Sequence, residues 1–424
     1  MASLSVIEIC AGAGGQSLGL EKAGFQHKLA VELNPDAVAT LKRNRPKWDV
    51  KCGDVADRTI WDPAKYSPAS DNGQTDLFAG GVPCPPFSIA GKRLGADDER
   101  DLFAWAVEQT PVIQPRAVLL ENVRGLSTPR FAGYRQHVLD RFREFGYSAE
   151  WQMIHASTFG VPQLRPRFVL VAMPHEYFEH FHWPIAVPGK SALTVGETLR
   201  SLMAAGRWEG AAEWADKANG IAPTIVGGSM KHGGADLGPT GAKRAWAKLG
   251  VDGHGVADHP PGPGARFEVG PRLTCEMVAR LQGWGSKEFR WKFEGKKTST
   301  YRQIGNAFPP PVAKALGVAI KAAINKTVEP ETRQVEAAHD PIYRVLRDDS
   351  GHVLASELAY RSGLSLNARD VEWHITRLRR DFHIDEVNTL DGPAYRLGDF
   401  RAFVGQPEHA RHEHFPARKP KVSR

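Results

Sequence analysis

The sequence predicts an α/β protein: a mixed sheet with helices on both faces, then a small loop-rich region, then a C-terminal module of helices and a hairpin. Three observations predict it. Apolar runs of strand length alternate with helix-period segments through residues 1–174. That alternation stops after Pro174, where Gly, Pro, His and Trp dominate to about residue 270. Beyond residues 326–340, helix patterns return and end in a hairpin signal.

The elements follow in order. Val6-Ile7-Glu8-Ile9 reads as a buried strand, followed by a glycine-rich turn and a helix through Leu18 and Leu20. Residues 27–33 read as a second strand, after which Asn34 caps a helix with Pro35 at its first position. Further strands are expected at 76–78, 117–120 and 167–172, with helices at 102–109 and 131–145. Gly227-Gly228, Gly233-Gly234 and Pro260-Pro261-Gly262-Pro263-Gly264 mark turns. Regular structure resumes at 273–281 and 311–324, the latter with Val312, Leu316, Ala319 and Ile320 on one helical face. In the last part, 342–346, 355–360 and 368–378 read as helices, the latter two turning about Gly363. Residues 382–387 and 394–397 read as strands joined by Asp391-Gly392, which completes a winged-helix-like pattern. Its reading is of a compact basic module, with Arg369, Arg377, Arg379 and Arg380 on or near its second helix.

The net charge of +7 and pI near 9.2 suit a polyanionic partner. Apolar runs are too short to span a bilayer, the first residues lack a basic leader, and the four cysteines show no zinc-type spacing. The expectation is a cytoplasmic protein of bacterial or phage origin, with no metal and no membrane partner.

Cys10-Ala11-Gly12-Ala13-Gly14-Gly15 lies between strand and helix, where glycines permit a tight turn and close ligand approach. Ser17 stands where a dinucleotide fingerprint needs its third glycine. Glu32, beside Leu33 at the end of the second strand, is placed to hold ribose hydroxyls. Asp54, beside Val55 after the third strand, is placed to accept from an adenine amine. A ribose clamp without a pyrophosphate cradle suits S-adenosylmethionine.

Gly80-Gly81-Val82-Pro83-Cys84-Pro85-Pro86-Phe87-Ser88 follows another strand, and prolines on both sides of Cys84 fix its backbone at the sheet's carboxyl edge. Glu121 and Asn122 end a further apolar strand at the same edge, and Gln163-Leu164-Arg165-Pro166-Arg167 precedes the next. Together with Gln303-Ile304-Gly305-Asn306-Ala307, these motifs occur in the order of the cytosine-5 DNA methyltransferases, which the chain resembles over residues 4–174 and 271–325.

The resemblance implies a Rossmann-like S-adenosylmethionine-dependent methyltransferase fold acting on double-stranded DNA. It implies Cys84 as the nucleophile at carbon 6, Glu121 at N3 and the exocyclic amine, Arg165 at the base oxygen O2, and Arg167 supporting the pocket. The base is flipped out of the duplex for attack. Pro83, Leu102, Asn306 and Ala307 join the cofactor residues. Ser88 to Arg100 becomes a closing loop with Lys92 and Arg93 at phosphates. The implied division is a catalytic domain at 1–174 completed by 300–325, a target-recognition domain at 175–299, a linker at 326–340, a winged-helix-like module at 341–400 and a basic tail at 401–424. Gln163, Lys231, His232, Lys243 and Arg244 are candidate DNA contacts, and Trp246 and Trp284 candidate wedges or core residues. A cognate restriction endonuclease is a possible partner.

Two departures stand out: Cys10 replaces the family's usual phenylalanine, and Pro85 a frequent glutamine. The alternatives are an RNA methyltransferase with the same motifs and a DNA-binding regulator with a vestigial site. An exocyclic-amine methyltransferase would need an Asp/Asn-Pro-Pro-aromatic motif, and Pro83-Cys84-Pro85-Pro86-Phe87 is not one.

Overall fold

A computed structural model of the chain describes residues 3–83, 100–185, 193–228, 234–331, 339–364 and 367–401. The first part runs β1 (Leu4–Ile9), α1 (Gly15–Ala23), β2 (Phe25–Glu32), α2 (Pro35–Asn44), β3 (Val50–Cys52), β4 (Leu77–Gly80), α3 (Arg100–Glu108), α4 (Thr110–Ile113), β5 (Ala117–Val123), α5 (Ala132–Glu144), β6 (Tyr147–His155), β7 (Pro166–Pro174) and α6 (His175–Phe178). Seven strands pair in the order β3-β2-β1-β4-β5-β7-β6. The first five are parallel, and β7 is antiparallel to both of its neighbours. β1 is buried along its whole length, as expected for a parallel strand covered on both faces. This topology sends the carboxyl ends of β1, β2, β4 and β5 to one edge. The reversed β7 brings its amino end to the same edge, pairing Arg167 with Val123.

One face of the sheet is covered by α3 and α5, with Phe103, Trp105, Val138 and Phe142 in its core. The other is covered by α1 and a late helix, α12 (Pro310–Ile324), so the chain returns to finish its first domain. The crossing is close because it is made at small residues: a Cβ on Gly19 would stand 2.4 Å from the Ala313 Cβ.

Between α6 and α12 (Pro310–Ile324) lie α7 (Val195–Ala204), α8 (Ala211–Lys217), α9 (Thr240–Lys248), α10 (Cys275–Leu281) and α11 (Lys297–Asn306). Residues 175–270 carry four short helices, α6 to α9, set among loops. α7 starts at a capping box in which Thr194 and Glu197 bond reciprocally. These elements share a core with Trp246, Trp284, Tyr301 and Ile304. Trp246 is fully buried and Trp284 is 2% exposed, so neither is a wedge. The expected boundary at 299/300 falls inside α11, whose Tyr301 and Ile304 belong to this second core.

The stretch Lys297–Ile324 has the length and composition of a membrane span. It is two helices broken before Pro310, and α12 is packed on α1 by its Val312, Leu316 and Ile320 face.

The C-terminal module contains α13 (Pro341–Asp348), β8 (Val353–Leu354), α14 (Ala355–Arg361), α15 (Ala368–Leu378), β9 (Phe382–Thr389) and β10 (Gly392–Phe400), with strand order β8-β10-β9. It has its own core and docks on α5. His137 meets the Tyr343 hydroxyl at 3.1 Å and the rings of Phe382 and Phe400, while Arg347 pairs with Asp140 at 2.8 Å. The reading of a basic module is corrected by its charge: residues 341–400 hold eight arginines and no lysine against ten acidic residues. Several of those arginines are neutralised locally, Arg361 by Asp349 and Glu357, Arg379 by Glu386 and Arg396 by Asp385. Arg377 instead lies over the Trp373 ring.

Candidate active site

The glycine turn separates into an open part and a packing part. Gly12 has φ +54° and open space where a Cβ would stand. A Cβ on Gly14 would meet Trp291 at 2.7 Å, and one on Gly15 the Phe308 carbonyl at 2.2 Å. Gly14 and Gly15 therefore permit packing behind the turn, whatever their backbone offers on its other side. Cys10 also has positive φ, +49°, an uncommon conformation for a side-chain-bearing residue.

Glu32 holds the turn. Its Oε2 accepts from the Gly12 N–H and its Oε1 from the Asn34 N–H, each at 2.8 Å. Burial pushes its carboxyl above the ordinary range, and the hydrogen bonds from Asn34 and Gly12 oppose this. Leu33 is 54% exposed beside it, and Asp54 Oδ1 accepts from the Ala56 N–H at the end of the neighbouring strand. Ala11, Val55 and Leu102 are 5–6% exposed, with side chains that pack in the core beneath these strand ends.

At the next strand ends, Glu121 is 8% exposed and its Oε1 lies 2.6 Å from Arg167 Nε. Burial raises this carboxyl too, and the positive charges of Arg167 and Arg165 oppose it. A Cβ on Gly81 would stand 3.5 Å from Glu121 Oε2 and 3.8 Å from the Cys10 carbonyl. The chain leading to Pro83 therefore passes between the glycine turn and the carboxylate. Asn122 is turned to the backbone: its Nδ2 donates to the Val82 carbonyl at 3.3 Å.

Arg165 is close enough for its charge to act on Glu121, but its guanidinium is bonded to other partners. It is 1% exposed and donates to the carbonyls of Ile225, Gly305 and Ala307 at 2.8–2.9 Å. A guanidinium spent on three backbone carbonyls is not free to hold a base oxygen, so that role is withdrawn from Arg165. Gln163 is also corrected. It is fully buried, donates to Gln282 Oε1 at 2.6 Å and accepts from the Ile225 N–H at 3.0 Å, so it cannot touch DNA. Gln282 completes this joint by donating to the Ile304 and Ala307 carbonyls. Its only signal in the sequence is a polar residue closing an apolar helix.

Asn306 is exposed and donates to the Gly228 carbonyl at 3.2 Å. Ala307 lies against Gly15. Lys243 pairs with Asp236 at 3.0 Å, which weakens it as a phosphate contact, whereas Arg244 on the same helix is exposed. Cys84, Ser88, Lys92, Arg93, Lys231 and His232 lie outside the described residues. Among the described residues, no group of three or more His, Cys, Asp or Glu side chains is placed to hold a metal ion.

Residues 4–322 match the model of the C-5 cytosine-specific DNA methylase family. The chain belongs to that family. As a member it is a DNA cytosine-5 methyltransferase with sequence-specific action. Relatives include Type II methyltransferase M.NaeI of Lentzea aerocolonigenes, 60% identical over the whole of both chains. Type II methyltransferase M.NgoMIV of Neisseria gonorrhoeae is 46% identical over 76% of this chain and 98% of its own. Among solved structures, a mutant of Spodoptera frugiperda DNMT2 superposes with a TM-score of 0.51 at 17% identity, over 76% of this chain and all of its own, which supports the fold.

Proposed function

We propose that this methyltransferase uses S-adenosylmethionine as methyl donor and Cys84 as covalent nucleophile. The observation that carries the reading is the Glu121–Arg167 pair, set across Gly81 from the glycine turn at one sheet edge. The cleft fits the cofactor: Gly12 leaves open space, and the Glu32 carboxylate retains acceptor capacity for two ribose hydroxyls. When bound, the sulfonium supplies an electrophilic methyl group.

The chain's residues then divide the work. The Cys84 thiolate adds to carbon 6 of a cytosine flipped out of the duplex, which makes carbon 5 nucleophilic. Glu121, its carboxyl raised by burial, supplies a hydrogen-bonded proton at N3 and accepts from the exocyclic amine. Arg167, with its charge beside Glu121, holds O2 in the role first given to Arg165. Once carbon 5 has taken the methyl group, loss of its proton to solvent and of the thiolate restores the ring.

Type II relatives support a restriction-modification role in a bacterial cytoplasm, with a cognate endonuclease as partner. The order of helices and strands in the C-terminal module supports the reading of a winged helix, and its acidic balance favours a role in protein docking over a second DNA contact.

The test is incubation with labelled S-adenosylmethionine and either duplex DNA or bulk transfer RNA. A 5-fluorocytosine duplex is run alongside, with Cys84→Ser as control. Methylated DNA and an adduct lost in Cys84→Ser are expected. Labelled RNA alone would overturn the substrate, and an adduct surviving in Cys84→Ser would overturn the nucleophile.

A further inference from the structure

The helix α2 starts just after Glu32, and its Asn34 cap is bonded to that carboxylate. One segment from the target-reading side, residues 291–303, is laced along α2. Thr40 Oγ1 accepts from the Glu294 N–H at 2.8 Å and donates to Gln303 Oε1 at 2.6 Å. The Asn44 side chain donates to the Lys292 carbonyl at 2.6 Å and accepts from the Lys292 N–H at 3.0 Å.

Trp291, at the head of this segment, reaches past α2 to the glycine turn. Its indole N–H donates to the Ala13 carbonyl at 2.7 Å, and its ring occupies the space a Cβ on Gly14 would need. The Arg45 guanidinium lies 5.0 Å from the ring centroid and is itself paired with Glu21. Packing alone would be met by any aromatic ring. The N–H bond does something more specific, because it fixes the peptide between Ala13 and Gly14, next to Gly12, whose own N–H donates to Glu32.

We propose that Trp291 is a positioning residue for cofactor binding: it holds the glycine turn from behind, so that Gly12 and Glu32 keep the geometry of the ribose clamp. The proposal rests on the reading of this cleft as the S-adenosylmethionine site. It goes beyond that reading by making cofactor affinity depend on a residue from the target-reading side of the chain.

The experiment measures the Kd of S-adenosylmethionine for the full chain by isothermal titration calorimetry, together with the melting temperature of the ligand-free protein. Trp291→Phe keeps the ring and removes the donor. Asn44→Ala loosens the same segment without touching the turn, and decides the matter if Trp291→Phe does not fold. A Kd raised roughly five- to tenfold in Trp291→Phe, the size of one hydrogen bond, is expected, with a smaller rise in Asn44→Ala. In both, kcat at saturating cofactor should stay near wild type. Unchanged Kd values in the folded variants, with only the melting temperature lowered, would make Trp291 a packing residue and overturn the proposal. If wild-type protein binds no cofactor, the underlying reading fails and the proposal fails with it, a pattern distinct from wild-type binding that is indifferent to the variants.

Discussion

Arg167 Nε lies 2.6 Å from Glu121 Oε1, while Arg165, two residues earlier, is turned to the carbonyls of Ile225, Gly305 and Ala307. The two arginines of one short motif thus serve different ends. One pairs with Glu121 at the strand ends, and the other joins three parts of the chain. Arg165→Ala leaves buried carbonyls without a donor and is expected to cost about 3 kcal/mol or more of stability. Arg167→Ala is expected to lower kcat/KM by about 10² while leaving a folded protein. Urea melts and turnover assays on both variants separate the roles, and the opposite pattern would return the base oxygen to Arg165.

The Glu121 carboxyl is raised above the ordinary value of 4.5 by burial, with Arg167 opposing the rise. Removing Arg167 should push it higher still. A carboxyl with a raised folded-state pKa favours the fold most below its unfolded value, and loses that contribution as pH climbs through the folded one. The stability deficit of Arg167→Ala against wild type should therefore be largest near neutral pH and shrink toward pH ~4.5, as the carboxyl becomes protonated in both folded proteins. Urea melts across that range check it, and a deficit independent of pH would remove Glu121 as the cause.

How far the sequence led is clearest at particular residues. Glu32 and its Asn34 cap were legible, because a strand pattern ending in an acid and followed by Asn-Pro has a local meaning. The two arginines were not separable: both flank Pro166 near a strand start, and what divides them is contact with Ile225 and Gly305, far along the chain. The half-exposed edge strand β6 was missed because its burial does not alternate cleanly. The helices α7 to α9 were hidden by surrounding glycine and proline. The charge of the last module was misread by attending to its arginines without the acids that pair with them.

The glycine turn offers a second contrast. Gly12→Ala places a methyl group at φ +54° in open space, so the fold should survive at a cost of about 1 kcal/mol, with the cofactor cleft narrowed. Gly15→Ala drives a Cβ to 2.2 Å from the Phe308 carbonyl and must displace α12 from α1. The expected result is weaker cofactor binding for Gly12→Ala at near-normal melting temperature, and a lowered melting temperature for Gly15→Ala. Calorimetric titration and thermal melts read both. Equal melting temperatures would mean that the crossing of α12 tolerates the methyl group.

The docking of the C-terminal module carries its own pH dependence. His137 sits among Tyr343, Phe382 and Phe400, and burial, with the charges of Arg347 and Arg141, lowers it from 6.5 to about 3. His339 at the same junction is lowered to about 4, by burial and by Arg135. A histidine held neutral below its unfolded pKa contributes stability that is complete above pH ~6.5 and is lost as pH falls toward the folded value. His137 retains some solvent contact, so its share is set at on the order of 2 kcal/mol, below what the full shift would give. Between pH 6.5 and 4 the melting temperature of wild type should fall more steeply than that of His137→Phe, which keeps an aromatic ring against Phe382 and Phe400 and cannot take a proton. In the same window, limited proteolysis should release the module from wild type first. Parallel pH profiles for the two proteins would show that the junction is indifferent to His137, and that acid acts on this chain elsewhere.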